Sequence, residues 1–180
     1  MQIRSAWWAF FAVALGCTAL TRGAAGTTDQ TQAPWRTLKN ERIGYSLSYP
    51  SGWRVVGKVV ATQFAAHTRC QSVRIVDRAA PAEVRQAVVQ ICSRRIRPGS
   101  SLAAFMRRTY GSRLSHLFAK TTLGGVPAYR TRSGSTNRTF FLQTKRYRMQ
   151  VVASVVEGRA KRATRLAQVK RILASFRVSA

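Results

Sequence analysis

Acidic side chains are scarce in this chain of 180 residues, which has 31 Lys and Arg against five Asp and Glu, for a formal net charge of +26. So few carboxylates argue against a catalytic carboxylate pair. Three explanations of the excess stay open: binding of a polyanion, adaptation to an acidic compartment, or the arginine drift of a GC-rich genome. The basic residues are spread along the whole chain without a single block, which is weak evidence for a dedicated site.

Motifs of the common enzyme classes are also missing. The chain has no glycine-rich phosphate loop ahead of a lysine and no G-x-S-x-G nucleophile motif. His67 and His116 show no metal-ligand spacing, and we interpret them as ordinary surface or partly buried histidines. The sequence therefore predicts a protein that is not an enzyme and that carries no cofactor and no metal.

No apolar run reaches the ~20 residues that a membrane-spanning helix needs. The run AWWAFFAVAL follows Arg4 and precedes the small residues of RGAAG, which is the pattern of a signal peptide. The mature protein would then be periplasmic or secreted, with no transmembrane span after cleavage. The predicted organisation is a signal peptide over residues 1–26, a flexible leader over 27–40 and a single domain over 41–180.

The chain has only three cysteines. Leu15-Gly16-Cys17 partly resembles a bacterial lipobox, so a lipoprotein anchored through Cys17 is the alternative localisation. Removal of the signal peptide leaves Cys70 and Cys92, and an even number of cysteines in an exported protein favours a disulfide. Cys92 does not resemble a catalytic nucleophile, because no His or acid is placed near it in a known pattern.

A β-hairpin would bring these two cysteines together. Residues 70–77 are typical of a strand, and residues 84–95 are a candidate antiparallel partner that turns around Pro81. That turn would set Cys70 and Cys92 directly opposite each other, within reach of a disulfide. The apolar residues of 84–95 also recur at helical spacing, so a helix remains the alternative to the favoured strand.

Patterning elsewhere predicts strands and two helical regions. Pro98-Gly99 breaks the chain before a helix that Ser100 or Ser101 caps, with Arg107 and Arg108 pointing away from its apolar face. That face is formed by Leu102, Phe105, Met106 and Thr109, and Leu114, Leu117 and Phe118 add a second turn or two. Alternating apolar residues predict strands over residues 43–49, 53–60, 128–132, 139–144 and 147–156.

The C-terminal part predicts an amphipathic helix over residues 159–175. Its apolar stripe is Leu166, Val169 and Leu173, and Lys161 and Arg165 lie on the opposite side. The order of strands, helix, strands and helix predicts an α+β fold, with an antiparallel β-sheet covered by helices.

Four segments occur in an order that resembles the Mog1/PsbP-like superfamily, which includes bacterial exported proteins of the DcrB and LpqN types. They are YSLSYPSGW at residues 45–53, LGGVPAYR at 123–130, YRMQVVASV at 147–155 and ILASFRV at 172–178. The resemblance spans roughly residues 41–178 and implies an α/β/α sandwich around an antiparallel sheet. It also implies a non-enzymatic role as a binding or assembly factor.

Arginine is the residue type best suited to a binding role here, because a guanidinium group binds phosphate or carboxylate in a bidentate manner. A first group of candidates lies between the predicted hairpin and the first helix: Arg94, Arg95, Arg97, Arg107 and Arg108. A second group surrounds the later hairpin: Arg130, Arg132, Arg138, Lys145, Arg146 and Arg148. An ordinary solvated basic surface is the competing interpretation of both groups.

The sequence thus predicts an exported, non-enzymatic accessory or binding protein of the cell envelope. Its expected partner is an envelope protein or an anionic envelope component. The alternative is a polyanion-binding protein that acts through an Arg-rich surface on lipopolysaccharide, acidic polysaccharide or nucleic acid. Nucleic acid is disfavoured because an exported protein meets little of it, and no standard nucleic-acid-binding signature is present.

Overall fold

The computed structural model describes residues 34–64, 68–77, 87–134, 136–155 and 162–179. The predicted signal peptide, Cys17, His67 and residues 27–33 of the predicted leader lie outside these residues. Ten strands and three α-helices follow one another in the described part of the chain. They are β1 Trp35–Asn40, β2 Tyr45–Pro50, β3 Trp53–Phe64, β4 Thr68–Asp77, β5 Ala87–Arg95, α1 Leu102–Tyr110, α2 Leu114–Leu117, β6 Phe118–Leu123, β7 Val126–Thr131, β8 Asn137–Gln143, β9 Tyr147–Val155, α3 Arg162–Ser175 and β10 Arg177–Val178.

The strands form two antiparallel sheets. The larger sheet has seven strands in the order β3-β4-β5-β9-β8-β7-β6, and the smaller has three in the order β1-β2-β10. The predicted α+β fold is therefore confirmed. The predicted leader is wrong over its last six residues, because Trp35–Asn40 pairs with β2 along its whole length. The half-buried Trp35 and Leu38 pack against the core, which gives this segment a reason to be ordered.

Each face of the large sheet carries its own hydrophobic cluster, because neighbouring residues of a strand point to opposite faces. Phe140 and Leu142 lie in the main core, which also includes buried residues of α3 and of the small sheet. Within that core the rings of Tyr45 and Phe176 stack with centroids 5.6 Å apart. Phe141 lies in the second cluster, under α1 and α2. The large sheet is thus sandwiched between helices.

Helix α1 begins where the sequence predicts. The Ser101 hydroxyl accepts a hydrogen bond from the Ala104 amide at 3.3 Å, and Met106 is fully buried beneath the helix. Arg107 and Arg108 are exposed, as expected. The assignment of Phe118 to a helical turn is wrong, because Phe118 begins strand β6 and its ring packs into the second cluster.

The strand interpretation of residues 84–95 is confirmed for Ala87–Arg95, and Cys70 and Cys92 form a disulfide with Cα atoms 5.6 Å apart. The predicted register is wrong, because Cys92 lies opposite Ser72 and not opposite Cys70. The observed register places Ile75 opposite Val89, and both side chains are completely buried. The shift is two residues, so each side chain keeps the face of the sheet that the predicted register gave it.

In helix α3, Val169 and Leu173 of the predicted apolar stripe are buried, and Leu166 is half-buried against the core. The buried line of α3 contains Arg165, Val169 and Ile172, so placing Arg165 on the solvent side was wrong. The Arg165 Nε donates to the Asp77 Oδ2 at 2.6 Å, at the end of β4. The carboxylate supplies the charge and the acceptor that a buried guanidinium needs. Among the described residues, no helix combines the length and hydropathy that a membrane crossing requires.

Candidate anion-binding site at the basic end of the sheet

Arginines from several elements lie at one end of the large sheet. Strand β5 finishes beside the start of β9, where Arg94 lies opposite Arg148 and Arg95 lies opposite Tyr147. The pairing continues beyond the strands, because the Ile96 amide donates to the Arg146 carbonyl at 2.9 Å. We call the following residues the basic end: Arg94, Arg95, Arg97, Arg108, Arg146 and Arg148.

Arg148 is the best fixed member of the basic end. Its Nε and Nη2 donate to the Gln143 Oε1 at 3.3 and 3.0 Å. Its Cζ lies 3.9 Å from the centre of the Phe105 ring, which is a favourable cation–π distance. Gln143 is held in turn, because its Nε2 donates to the Ser100 carbonyl at 2.5 Å. The half-buried guanidinium of Arg148 is therefore oriented by groups from α1, from the loop before α1, and from β8.

Two further arginines lie next to Arg148. Arg94 is its cross-strand neighbour, so the two side chains leave the same face of the sheet at close range. Arg108 approaches from α1, one helical turn beyond Phe105. Burial lowers the pKa of Arg148, and the positive charges of Arg108 and Arg94 lower it further. Like charges placed opposite each other destabilise a sheet, so this arrangement costs free energy in the unliganded protein.

Neither carboxylate of the described residues compensates for this charge. Glu41 pairs with Lys39 at 3.1 Å, and Asp77 pairs with Arg165 inside the fold. The remaining acids, Asp29, Glu83 and Glu157, lie outside the described residues. Within the described ranges, Glu41 lines a cavity together with Arg146, but neither carboxylate forms an ion pair with a member of the basic end.

The second predicted group of arginines does not stay together. Arg138 lies opposite Ala153, five residues along β8 from Gln143, which lies opposite Arg148. A strand rises about 3.3 Å per residue, so Arg138 is ~16 Å from the basic end. Arg130, opposite Phe140, also lies away from Arg148. Only Arg146 and Arg148, with the exposed Lys145 of the β8–β9 turn, belong to the same end as the first group.

Arg132 stabilises the backbone between α2 and β6. Its Nε donates to the carbonyl oxygens of Ser115 and Phe118, at 2.8 and 3.2 Å. These bonds satisfy backbone acceptors where α2 passes into β6. Arg107 is exposed on α1, and anion binding by Arg107, Arg130 and Arg132 stays a prediction.

Sequence reasoning missed Gln143 and the positioning role of Phe105. Phe105 was predicted as part of the apolar face of α1, where it does pack on the second cluster. Its contact with Arg148 depends on how α1 lies across the sheet. The bond between Gln143 and Arg148 depends on the β8–β9 register, which a local pattern does not specify.

Comparisons with known proteins show likeness in structure. No protein-family profile matches the chain, and no curated protein matches it in sequence. The structure of cyanobacterial PsbP (CyanoP) from Synechocystis sp. PCC 6803 aligns with a TM-score of 0.52 and 16% identity, over 87% of this chain and 98% of that protein. A protein from Bacteroides thetaiotaomicron aligns with a TM-score of 0.50 and 9% identity, over 83% of this chain and 49% of that one.

LpqN of Mycobacterium tuberculosis, described as involved in cell envelope biogenesis, aligns with a TM-score of 0.47 and 14% identity, over 82% of this chain and 91% of its own. At such low identities the likeness to CyanoP concerns the fold and does not transfer a partner. The likeness to CyanoP agrees with the architecture described above, in which an antiparallel sheet lies between helices. The chain therefore has a PsbP-like fold, as the four sequence segments predicted.

Proposed function

We propose that this protein is an exported, non-enzymatic binding protein of the cell envelope, and that it engages an anionic envelope component through the basic end. The observation that carries the proposal is the convergence of Arg94, Arg108 and Arg148, none of which forms an ion pair with a described carboxylate. An anion bound there would relieve the repulsion among these cations. It would also replace the counterions that a concentrated positive charge holds in solution.

The envelope location rests on two features of the chain. The first is the signal-peptide pattern at the N-terminus. The second is the Cys70–Cys92 disulfide, a bond that persists in oxidising compartments outside the cytoplasm. The proposal that the protein is not an enzyme rests on the sequence, which holds no catalytic motif.

A salt titration tests the proposed function. The mature protein is titrated with lipopolysaccharide and with heparin at several NaCl concentrations. We expect affinity to fall steeply as salt rises, because binding releases counterions. A salt-insensitive complex with one envelope protein, together with no binding to either polyanion, would contradict the anionic partner.

Matched variants localise the interaction. The test variant replaces three exposed members of the basic end with Gln: Arg95, Arg97 and Arg146. The control variant removes the same charge from exposed positions on β1, β3 and α3: Arg36, Arg54 and Lys170. The test variant should lose clearly more affinity and more of the salt dependence than the control. Equal losses would mean that net charge, and not the basic end, determines binding.

A further inference from the structure

We infer that Arg94, Arg108 and Arg148 form a binding site for a single phosphate group. This inference deepens the proposed function, because it assigns the chemistry that the basic end recognises. The three side chains come from three different elements: β5, α1 and β9. A site shared by three elements exists only in the folded protein, unlike a run of arginines along one helix or loop.

The arrangement of Arg148 leaves donors for a ligand. Gln143 accepts from the Nε and Nη2 of Arg148, so the Nη1 hydrogens and the second Nη2 hydrogen are left for another acceptor. Phe105 covers one face of the guanidinium and limits its rotation. A fixed donor group loses little conformational entropy on binding, and this raises affinity.

The charge of the site suits phosphate. A phosphate monoester carries a charge of about −1.5 to −2 at neutral pH and offers three acceptor oxygens. Three guanidinium groups supply matching positive charge, and each can donate two parallel hydrogen bonds. A single carboxylate would neutralise less of this charge. The half-burial of Arg148 makes the electrostatic attraction stronger than at a fully exposed surface.

Gln143 is the positioning residue of this site. Its amide holds Arg148 on one side and is itself held by the Ser100 carbonyl on the other. A carboxylate at this position would pair with Arg148 inside the protein and compete with the ligand. The Gln143→Glu variant therefore tests the role of Arg148 without removing an arginine, because the new carboxylate competes with the ligand for that guanidinium.

The direct test is a calorimetric titration of the mature protein with inorganic phosphate at constant ionic strength. We expect one phosphate to bind per chain. Arg94→Gln, Arg108→Gln and Arg148→Gln should each weaken binding by ~10-fold or more, since each removes charge-assisted hydrogen bonds. Gln143→Glu should weaken it similarly. Arg54→Gln, which removes an exposed cation of β3 outside the basic end, should change it by less than ~3-fold.

A second variant distinguishes a specific loss of the phosphate site from a loss of the fold. Arg148→Lys keeps the charge but loses the planar fork that Gln143 and Phe105 hold, so phosphate affinity should fall while the salt dependence of heparin binding is retained. Circular dichroism and thermal unfolding establish that each variant is folded. If phosphate does not bind, or if Arg54→Gln weakens binding as much as Arg148→Gln, the inference is wrong.

Vesicles identify the source of the phosphate. Vesicles that contain phosphatidic acid, a phosphomonoester lipid, are compared with phosphatidylserine vesicles of equal surface charge. Preferential binding to phosphatidic acid that inorganic phosphate displaces supports a lipid source, and phosphate binding without vesicle binding supports a free phosphate or phosphosugar. Heparin binding without phosphate binding overturns this inference but not the proposed function. Phosphate binding with no binding to lipopolysaccharide, heparin or either kind of vesicle contradicts the proposed function only.

Discussion

Arg165 on α3 and Asp77 at the end of β4 form a buried ion pair, with the Nε and Oδ2 atoms 2.6 Å apart. The pair links the C-terminal helix to the large sheet across 88 residues of sequence. It is notable in a chain with a net charge of +26, since it assigns one of only five acids to the interior. Its contribution depends on both partners, because either charge left by itself in the interior would be poorly solvated.

Removal of one partner should therefore be costly. We expect Asp77→Asn or Arg165→Met to lower the free energy of unfolding by about 3–5 kcal/mol, measured by chemical denaturation. The double variant Asp77→Leu with Arg165→Met should recover most of this loss, because it buries no unpaired charge. Lys170→Met, an exposed change on the same helix, should stay within ~0.5 kcal/mol of the parent protein. Single variants as stable as this control would show that the pair contributes little.

The Arg165 pair also shows where sequence reasoning stops. Ser101 could be predicted as the cap of α1, because a cap depends on residues within one helical turn. The alternating residues of β9 likewise predict a strand from local spacing. A buried arginine, in contrast, carries no local signal. Its partner Asp77 is identified only when the fold brings α3 onto the sheet.

For the candidate site too, the sequence gives the residue types, whereas the fold determines which of them come together. Their residue type made Arg94, Arg108 and Arg148 candidates for anion binding in the sequence, beside the alternative of a solvated basic surface. Their convergence depends on the register of β5 against β9 and on the position of α1. The failed grouping of Arg138 with Arg148 arises from the same cause, because chain proximity around a hairpin does not equal spatial proximity along an extended strand.

The β6–β7 turn provides a prediction with an internal control. Gly124 and Gly125 both have positive φ, +65° and +85°, in a conformation that disfavours side chains. A Cβ atom at position 124 would lie 2.8 Å from the Phe176 Cδ1 and 3.1 Å from the Val178 amide nitrogen, whereas one at 125 would meet nothing within 4 Å. Gly125→Ala should cost about 1–2 kcal/mol of unfolding free energy. Gly124→Ala should cost ~1–3 kcal/mol more, because Phe176 and β10 must move.

Thermal and denaturant unfolding of the two variants measure this difference. The local close approach is confirmed if Gly124→Ala is clearly the less stable of the two. Equal stabilities would mean that the turn conformation, and not the contact with Phe176, decides the cost.

The Cys70–Cys92 disulfide closes a loop with a sequence separation of 22 residues. Restricting the unfolded chain in this way should stabilise the fold by about 3 kcal/mol. Reduction of the otherwise unchanged protein should lower the denaturation midpoint accordingly. The double variant Cys70→Ala with Cys92→Ala should show a similar loss that no longer responds to reductant.

Mass spectrometry under non-reducing conditions checks the bond itself. The folded, exported protein should be lighter than its reduced form by two hydrogen atoms. Free thiols on both cysteines would contradict the disulfide. An unchanged denaturation midpoint after complete reduction would contradict its stabilising role.

The buried phenol of Tyr45 should make the free energy of unfolding depend on pH in the alkaline range. Its ring is buried and stacks on Phe176, and burial raises the pKa of its phenol above the ordinary value of about 10. Above that pH the unfolded chain releases the phenolic proton while the folded chain keeps it. The unfolded state then binds fewer protons than the native state, so the free energy of unfolding falls as pH rises. Below the ordinary pKa both states keep the proton, and the phenol adds no pH dependence.

Tyr45→Phe removes this phenol while keeping the ring and its contact with Phe176. We expect the variant to lose less stability than the parent protein as the pH rises above about 10. Burial also raises the pKa of Tyr110, so a further Tyr110→Phe change should flatten the pH profile again. Denaturation midpoints measured across the alkaline range test both steps, and tyrosinate absorbance follows the ionisation itself. The same alkaline slope in the parent and in Tyr45→Phe would show that the buried phenol ionises without opposing the fold.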